Sequence, residues 1–344
     1  MNAAIRAVAK VGAGRGVEVH GVEGGYDGLI AGSIVPLTHV TGSRLVPERS
    51  VDLALGQGGT ILGSSRSEAF RSAEGRASAV ATLDGFDGLI VIGGDGTLSG
   101  AHALATEHDV RVIGVPASID NDVGCTSLSI GVDTALNTIV EACSRIADTA
   151  RSHRRAFVVE VMGRRSGYLA MSSAVAVGAD AAVLPEQKRS VAEIVDSVER
   201  VIRQSFEIED GKRQSLIMLS EGVDLPATEL VRILNERLED LAGVEARAIV
   251  LGHLQRGGSP TYMDRMIGGR LGLMALAALG AGVSDEMVAW RPSLAGGVPT
   301  EDLRVMRYPL EQVIAESAAL ADGSSEVVRR RLEMMESVEG VLAL

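Results

Sequence analysis

Four segments of this 344-residue chain carry residue types that could do chemistry. In the first, the apolar run Leu89-Ile90-Val91-Ile92 leads into Gly93-Gly94-Asp95-Gly96-Thr97. Glycines at a strand end let the backbone turn sharply and aim N–H groups at an oxyanion. An acid in such a nest repels phosphate unless a cation sits between them. That makes Asp95 a candidate Mg²⁺ ligand, direct or through water. Alone, the segment reads equally well as a tight strand-to-helix turn with Asp95 as a surface cap. It is neither a Walker A loop, since no Gly-Lys-Ser/Thr follows, nor GxGxxG.

The second segment, Val112 to Asp122, ends an apolar run in Pro116-Ala117-Ser118-Ile119-Asp120-Asn121-Asp122. Two carboxylates at i and i+2 can serve as a base and its metal or hydrogen-bond partner. The competing reading, an Asx-type turn, would win in isolation. The glycine nest one βαβ step earlier favours function, because open α/β sheets bind ligands at their carboxyl edge. The third group is cationic: Arg154, Arg155, Arg164 and Arg165 around one strand, then Arg247, His253 and Arg256 around another. Arg and His at strand ends beside glycines make a phosphate clamp. For any single one, pairing with the surplus acids explains as much. The fourth, Gly58 to Arg66, is a small-residue loop ending in a cation and is weak by itself.

The elements that must position these residues are legible as periodicity. Leu89–Ile92, Val110–Val115, Phe157–Val161, Leu216–Leu219 and Ala248–Leu251 read as strands buried on both faces. Residues 131–150, Val191–Phe206 and Glu229–Leu241 show helical spacing. Strands alternating with helices imply doubly wound α/β architecture. The length implies about two domains, and the long helix near 125–150 is the only hint of a boundary. With 33 basic and 45 acidic residues, the net charge of -12 argues against a nucleic-acid partner. Two cysteines, Cys125 and Cys143, support no disulfide framework. No run reaches the ~18 apolar residues of a membrane span, and the N-terminus lacks a signal core. A cytoplasmic protein with no membrane partner is expected.

In this order, GGTILGSSR at 58–66, GGDGT at 93–97, PASIDND at 116–122, EVMGRRSG at 160–167 and LGHLQRGGSP at 251–260 closely resemble the ATP-dependent 6-phosphofructokinase family. The resemblance implies two α/β domains with the active site in the cleft between them. It places the nucleotide domain at 1–130, with about 245–300 as a candidate to return to it, the fructose 6-phosphate domain at 131–244, and a C-terminal helical segment at 301–344. Asp120 matches the base that takes the proton from the sugar C1 hydroxyl. Asp95 matches the Mg²⁺-associated acid. Arg66, Ser67, Gly94, Gly96 and Thr97 match ATP contacts. Ser118, Ile119 and Asp122 flank the base. Met162, Gly163, Arg164, Glu221 and Arg256, with Leu254 and Gln255, match the sugar pocket. Arg155, Arg247 and His253 match contacts to its phosphate, and in the family the residues matching Arg155 and Arg247 reach across from a neighbouring subunit. The implied assembly is a homotetramer.

Two departures matter. The chain opens at Met1-Asn2-Ala3-Ala4-Ile5-Arg6, which resembles the residues after the family's first strand and Gly-Gly-Asp-x-Pro-Gly loop. The expectation is a natural start roughly 15 residues upstream, judged from the resemblance. The effector site is matched in part: Arg6, Lys10 and Lys212 are present, but Ala147 and Asp210 stand where many bacterial members carry arginine. Pyrophosphate-dependent relatives usually place Asp at Gly96 and Lys at Ala117, so ATP is the expected donor. The rival of another class is a paralogue that only binds sugar phosphate, and retention of both Asp95 and Asp120 argues against it.

Overall fold

The computed structural model describes residues 1–153, 155–207, 214–241, 243–291 and 294–342. Besides two small two-stranded antiparallel sheets between residues 20 and 47, its two larger sheets are built, in chain order, from β1 (Leu89–Gly93), β2 (Val112–Pro116), β3 (Arg155–Val161), β4 (Ala181–Val183), β5 (Ser215–Ser220), β6 (Glu245–Val250), β7 (Glu286–Trp290), β8 (Val298–Pro299) and β9 (Val305–Pro309). Among the helices are α1 (Asn2–Gly14), α2 (Asp95–His108), α3 (Val132–His153), α4 (Tyr168–Val177), α5 (Val191–Glu207), α6 (Ala227–Arg237), α7 (Tyr262–Gly280), α8 (Leu310–Asp322) and α9 (Glu326–Leu342). The chain forms two units. One comprises Met1–Ser118, Val123–Asp133 and Gly258–Ala318, the other Ile119–Asp122, Thr134–Gly257 and Ala319–Leu344.

In the first unit the sheet order is β8-β9-β7-β2-β1. β1, β2 and β7 are parallel, while β9 and β8 run antiparallel to their neighbours. Period-two alternation splits the buried residues between two faces. Val112, Met287 and Ala289 pack with Leu98, Ala101 and Leu104 of α2. Ile113, Val115, Val288 and Trp290 pack with Ile267, Leu271 and Ala275 of α7. Each fully buried aliphatic side chain contributes about 1.5–3 kcal/mol. Thr261 caps α7 by accepting the Asp264 N–H at 3.2 Å. Gly272 lets α1 lie close against α7, since a Cβ there would stand 2.7 Å from the Ala4 carbonyl oxygen.

In the second unit β6-β3-β5-β4 form an all-parallel sheet. Ala156, Val158, Ile217 and Leu219 pack with Ile194, Val198 and Ile202 of α5 and Leu230 and Leu234 of α6. Phe157, Val159 and Met218, at the alternate positions, are also buried, and Met218 Sδ lies 3.9 Å from Cys143 Sγ of α3. Ser190 and Glu193 cap α5 reciprocally: Glu193 accepts the Ser190 N–H at 2.8 Å and the Ser190 hydroxyl accepts the Glu193 N–H at 3.3 Å.

Several boundaries differ from the sequence reading. The run expected from Val110 pairs only from Val112, because Asp109 ends α2 in the left-handed conformation. The run expected at Ala248–Leu251 is the tail of a strand that begins at Glu245; its charged residues hid it. The units differ from the expected division: Ile119–Asp122, expected in the nucleotide domain, cluster with the second unit, and residues 131–133 stay with the first. Residues 245–257 stay with the second unit because β6 ladders onto β3. The segment 301–344 is not wholly helical: Val305–Pro309 pairs antiparallel with β7, and the segment divides between the units after Ala318. The effector-site positions Asp210 and Lys212 lie outside the described residues. Among the described residues no helix is long and apolar enough to cross a membrane.

Candidate active site

In the first unit the candidate residues gather where β1 and β2 end. β1 leads straight into α2, with Gly94 as N-cap and Asp95 as first helical residue. A Cβ on Gly93 would sit 2.4 Å from Thr97 Oγ1, so only glycine lets the strand turn so tightly. The Thr97 N–H donates to the Gly94 carbonyl at 3.0 Å, and Tyr26 donates its hydroxyl to the Thr97 carbonyl at 2.6 Å. Asp95 and Gly96 are exposed. A Cβ on Gly96 would meet nothing within 4 Å, so the position is open on this chain's side. Negative charge in the first turn of a helix is favoured by its dipole. Ser118 lies beside Gly94, its Oγ 3.9 Å from where a Gly94 Cβ would be.

The loop at 58–66 is anchored by a residue the sequence reading passed over. Asn2 is buried; its amide donates to the Gln57 carbonyl at 3.0 Å and accepts the Ile61 N–H at 2.9 Å. Its only sequence signal was an amide at the start of a helix. Arg66 is exposed, and Ser67 accepts the Phe70 N–H at 3.2 Å.

In the second unit Asp120 is 8% exposed. Burial is the main reason its carboxyl is pushed up to about 6; the charges of Asp122 and Glu221 act in the same direction, and Arg256 and Arg164 oppose them. Asn121, between the two acids, is buried in the left-handed conformation at φ 50. Asparagine tolerates that better than most residues.

The loop after β3 is held through its backbone. Glu221, just beyond β5, accepts the Gly163 N–H at 3.3 Å and the Arg164 N–H at 3.0 Å. Gly163 has φ 155, and a Cβ there would stand 2.2 Å from the Ser166 carbonyl oxygen, so no other residue fits. Gln255 is buried. Its amide accepts the Met162 N–H at 3.2 Å and donates to the Gly252 carbonyl at 3.1 Å, joining the loop after β3 to the short helix Gly252–Arg256. Met162 is buried as well, while Arg164, Glu221, His253, Leu254 and Arg256 are exposed and Ile119 and Asp122 half-buried.

Arg155 and Arg247 are elsewhere. Arg155 begins β3, and the loop carrying Arg164 follows the other end, about 20 Å away at ~3.3 Å per residue. Arg247 stands beside Phe157 in the ladder. Glu245 holds both, at 3.5 Å from Arg155 and 2.7 Å from Arg247. Within one chain, then, the structure gathers Asp120, Asp122, Arg164, Glu221 and Arg256 but leaves these two arginines at the opposite sheet edge. Arg6 and Lys10 each lie 3.1 Å from Asp52.

The family model for phosphofructokinase matches residues 1–279. The chain belongs to the phosphofructokinase family. An ATP-dependent 6-phosphofructokinase of Thermotoga neapolitana is 41% identical over 322 residues, covering 93% of this chain and 95% of that protein. ATP-dependent 6-phosphofructokinase 1 of Thermus thermophilus is 45% identical over 295 residues, 84% of each chain. Phosphofructokinase from Pichia pastoris in the T-state superimposes with a TM-score of 0.82 at 30% identity; the match covers 99% of this chain and 38% of that one. A pyrophosphate-dependent phosphofructokinase from Marinobacter aquaeolei gives a TM-score of 0.72 at 18% identity, covering 97% and 87%, which extends the likeness of fold alone.

Proposed function

We propose that this member of the phosphofructokinase family transfers the γ-phosphoryl group of MgATP to the C1 hydroxyl of D-fructose 6-phosphate, giving fructose 1,6-bisphosphate and ADP. The observation that carries the reading is Asp120: a buried carboxyl, raised to about 6 by burial and by Asp122, with Arg164 and Arg256 nearby. At neutral pH it is ionised and ready to take the hydroxyl proton as the C1 oxygen bonds to phosphorus and the bond to ADP breaks. The first unit supplies nucleotide contacts through Gly94, Gly96, Thr97, Arg66 and Ser67, with Ser118 alongside. The second holds the sugar phosphate through Gly163, Arg164, His253, Leu254 and Arg256, on loops braced by Met162, Glu221 and Gln255.

Asp95 would hold the Mg²⁺ that arrives with the nucleotide, an ion that neutralises phosphate charge. Among the described residues there is no cluster of three His, Cys, Asp or Glu side chains able to cage a metal. A single carboxylate fits an ion that keeps its waters and phosphate oxygens as ligands.

Arg155 and Arg247 support a site shared between subunits of a cytoplasmic homotetramer, because the edge that carries them is remote from the Arg164 loop of the same chain. Open space at Gly96 favours ATP over pyrophosphate as donor. The test is a coupled assay with fructose 6-phosphate and Mg²⁺, supplied with ATP or with pyrophosphate. Turnover with ATP alone is expected; preference for pyrophosphate overturns the donor, and no turnover with either overturns the reaction.

A further inference from the structure

The second unit contains a half-buried charge cluster that the reaction does not use. Glu186 follows β4, and its carboxylate accepts the Gly167 N–H at 2.7 Å. Gly167 is the N-cap of α4 and the last residue of the loop that begins at Met162. A Cβ on Gly167 would lie 2.6 Å from Glu186 Oε2 and 2.8 Å from Leu184 Cβ, so this approach requires glycine. Glu186 Oε2 is itself buried with no hydrogen-bond partner among the described residues.

The compensating charge comes from the far end of the chain. Arg331 of α9 sets its guanidinium 4.7 Å from the centre of the Tyr168 ring, within the distance of a cation–π contact. Burial lowers its pKa, and Tyr168 and Glu186 act against that. Arg331 and Glu186 line one small pocket with Gly167, Tyr168 and Met171. A buried carboxylate left without a cation neutralises or moves. Here movement would release the Gly167 N–H, and protonation would weaken the charge-assisted bond that holds it.

We propose that Arg331 is a positioning residue for the sugar-phosphate loop: by balancing Glu186 it holds Gly167, and through it the Met162–Ser166 turn, in the form that binds substrate. This rests on the proposed sugar-phosphate role of that loop. It gives α9 a part in substrate affinity although α9 contributes no residue to the site.

The experiment compares wild type, Arg331→Met, Glu186→Gln and the double variant. Glu186→Gln keeps an acceptor for Gly167 while removing the charge. Arg331→Met should raise the KM for fructose 6-phosphate about 5–20-fold and leave the KM for ATP within about twofold; the double variant should recover most of the loss. Amide hydrogen exchange, which needs no turnover, should show faster exchange at Gly167 in Arg331→Met and restored protection in the double variant. Unchanged exchange at Gly167, or a double variant no better protected than Arg331→Met, overturns the proposal whatever the assay reads. A wild type inert toward fructose 6-phosphate overturns the reaction instead, and the exchange result still decides the role of Arg331.

Discussion

Two acids follow successive strands of one sheet, Asp95 after β1 and Asp120 after β2, and their surroundings differ. Asp95 begins a 14-residue helix, is exposed, and follows glycines that leave open space. Asp120 is buried among charges of both signs on a loop turned by a left-handed asparagine. An exposed acid at a helix start is suited to a hydrated ion and its phosphates. A buried acid, whose charge is disfavoured by desolvation, is suited to accepting a proton. The lesson is that residue type alone does not assign a role; exposure and neighbouring charge do.

Removing the buried acid is the sharpest test. Asp120→Asn should lower kcat about 10²–10⁴-fold, the range for loss of a general base, with little change in the KM for fructose 6-phosphate. Steady-state kinetics on both substrates checks this, and an unchanged kcat ends the assignment. The loop that faces it should be nearly as sensitive. Gly163→Ala places a methyl against the Ser166 carbonyl. The KM for fructose 6-phosphate should rise at least tenfold, while the nucleotide KM, which the proposed function assigns to the other unit, should hold.

Acidity separates the two acids. With Asp120 at about 6, kcat should fall roughly tenfold per unit as the pH drops below that value, because the base must be ionised. A profile flat to pH 5 contradicts a titrating base. Asp95→Asn should raise the KM for MgATP about tenfold and spare the sugar KM. Equal effects on both substrates would erase the contrast between the two ends.

The smallest effect is on stability. A carboxyl raised from 3.8 to about 6 binds its proton more tightly folded than unfolded. Folding is therefore favoured below pH 4, and that advantage is lost as the pH rises through 6. Asp120→Asn should stabilise the protein at pH 7 by up to roughly 3 kcal/mol, with the gain shrinking toward pH 4. Denaturant unfolding at the two pH values measures it; a destabilised variant at pH 7 would show that Asp120 is held by more than it costs.

The alternation of buried strands and amphipathic helices was legible because apolar periodicity is written residue by residue. β4, with three residues, is too short to show a period, and β6 is masked by Glu245 and Arg247. The motif residues stood out by their order along the chain, since singly each also had a plain structural reading. Their division of labour was not. Gln255 joined the sugar-contact set from sequence, yet its amide is spent on two backbone groups. Asn2 and Glu186 drew no attention, because a single polar side chain leaves no pattern in a chain.

By itself, then, the amino-acid order determined the α/β class, the family and the chemistry available at Asp95 and Asp120. Those depend on local spacing and residue type. Tertiary structure alone decided how deeply Asp120 is buried, that Glu245 pairs with both Arg155 and Arg247, and that α9 brings Arg331 to Glu186 across 145 positions of sequence. Burial and charge compensation are properties of neighbours in space, and the chain specifies those only through the whole of its packing.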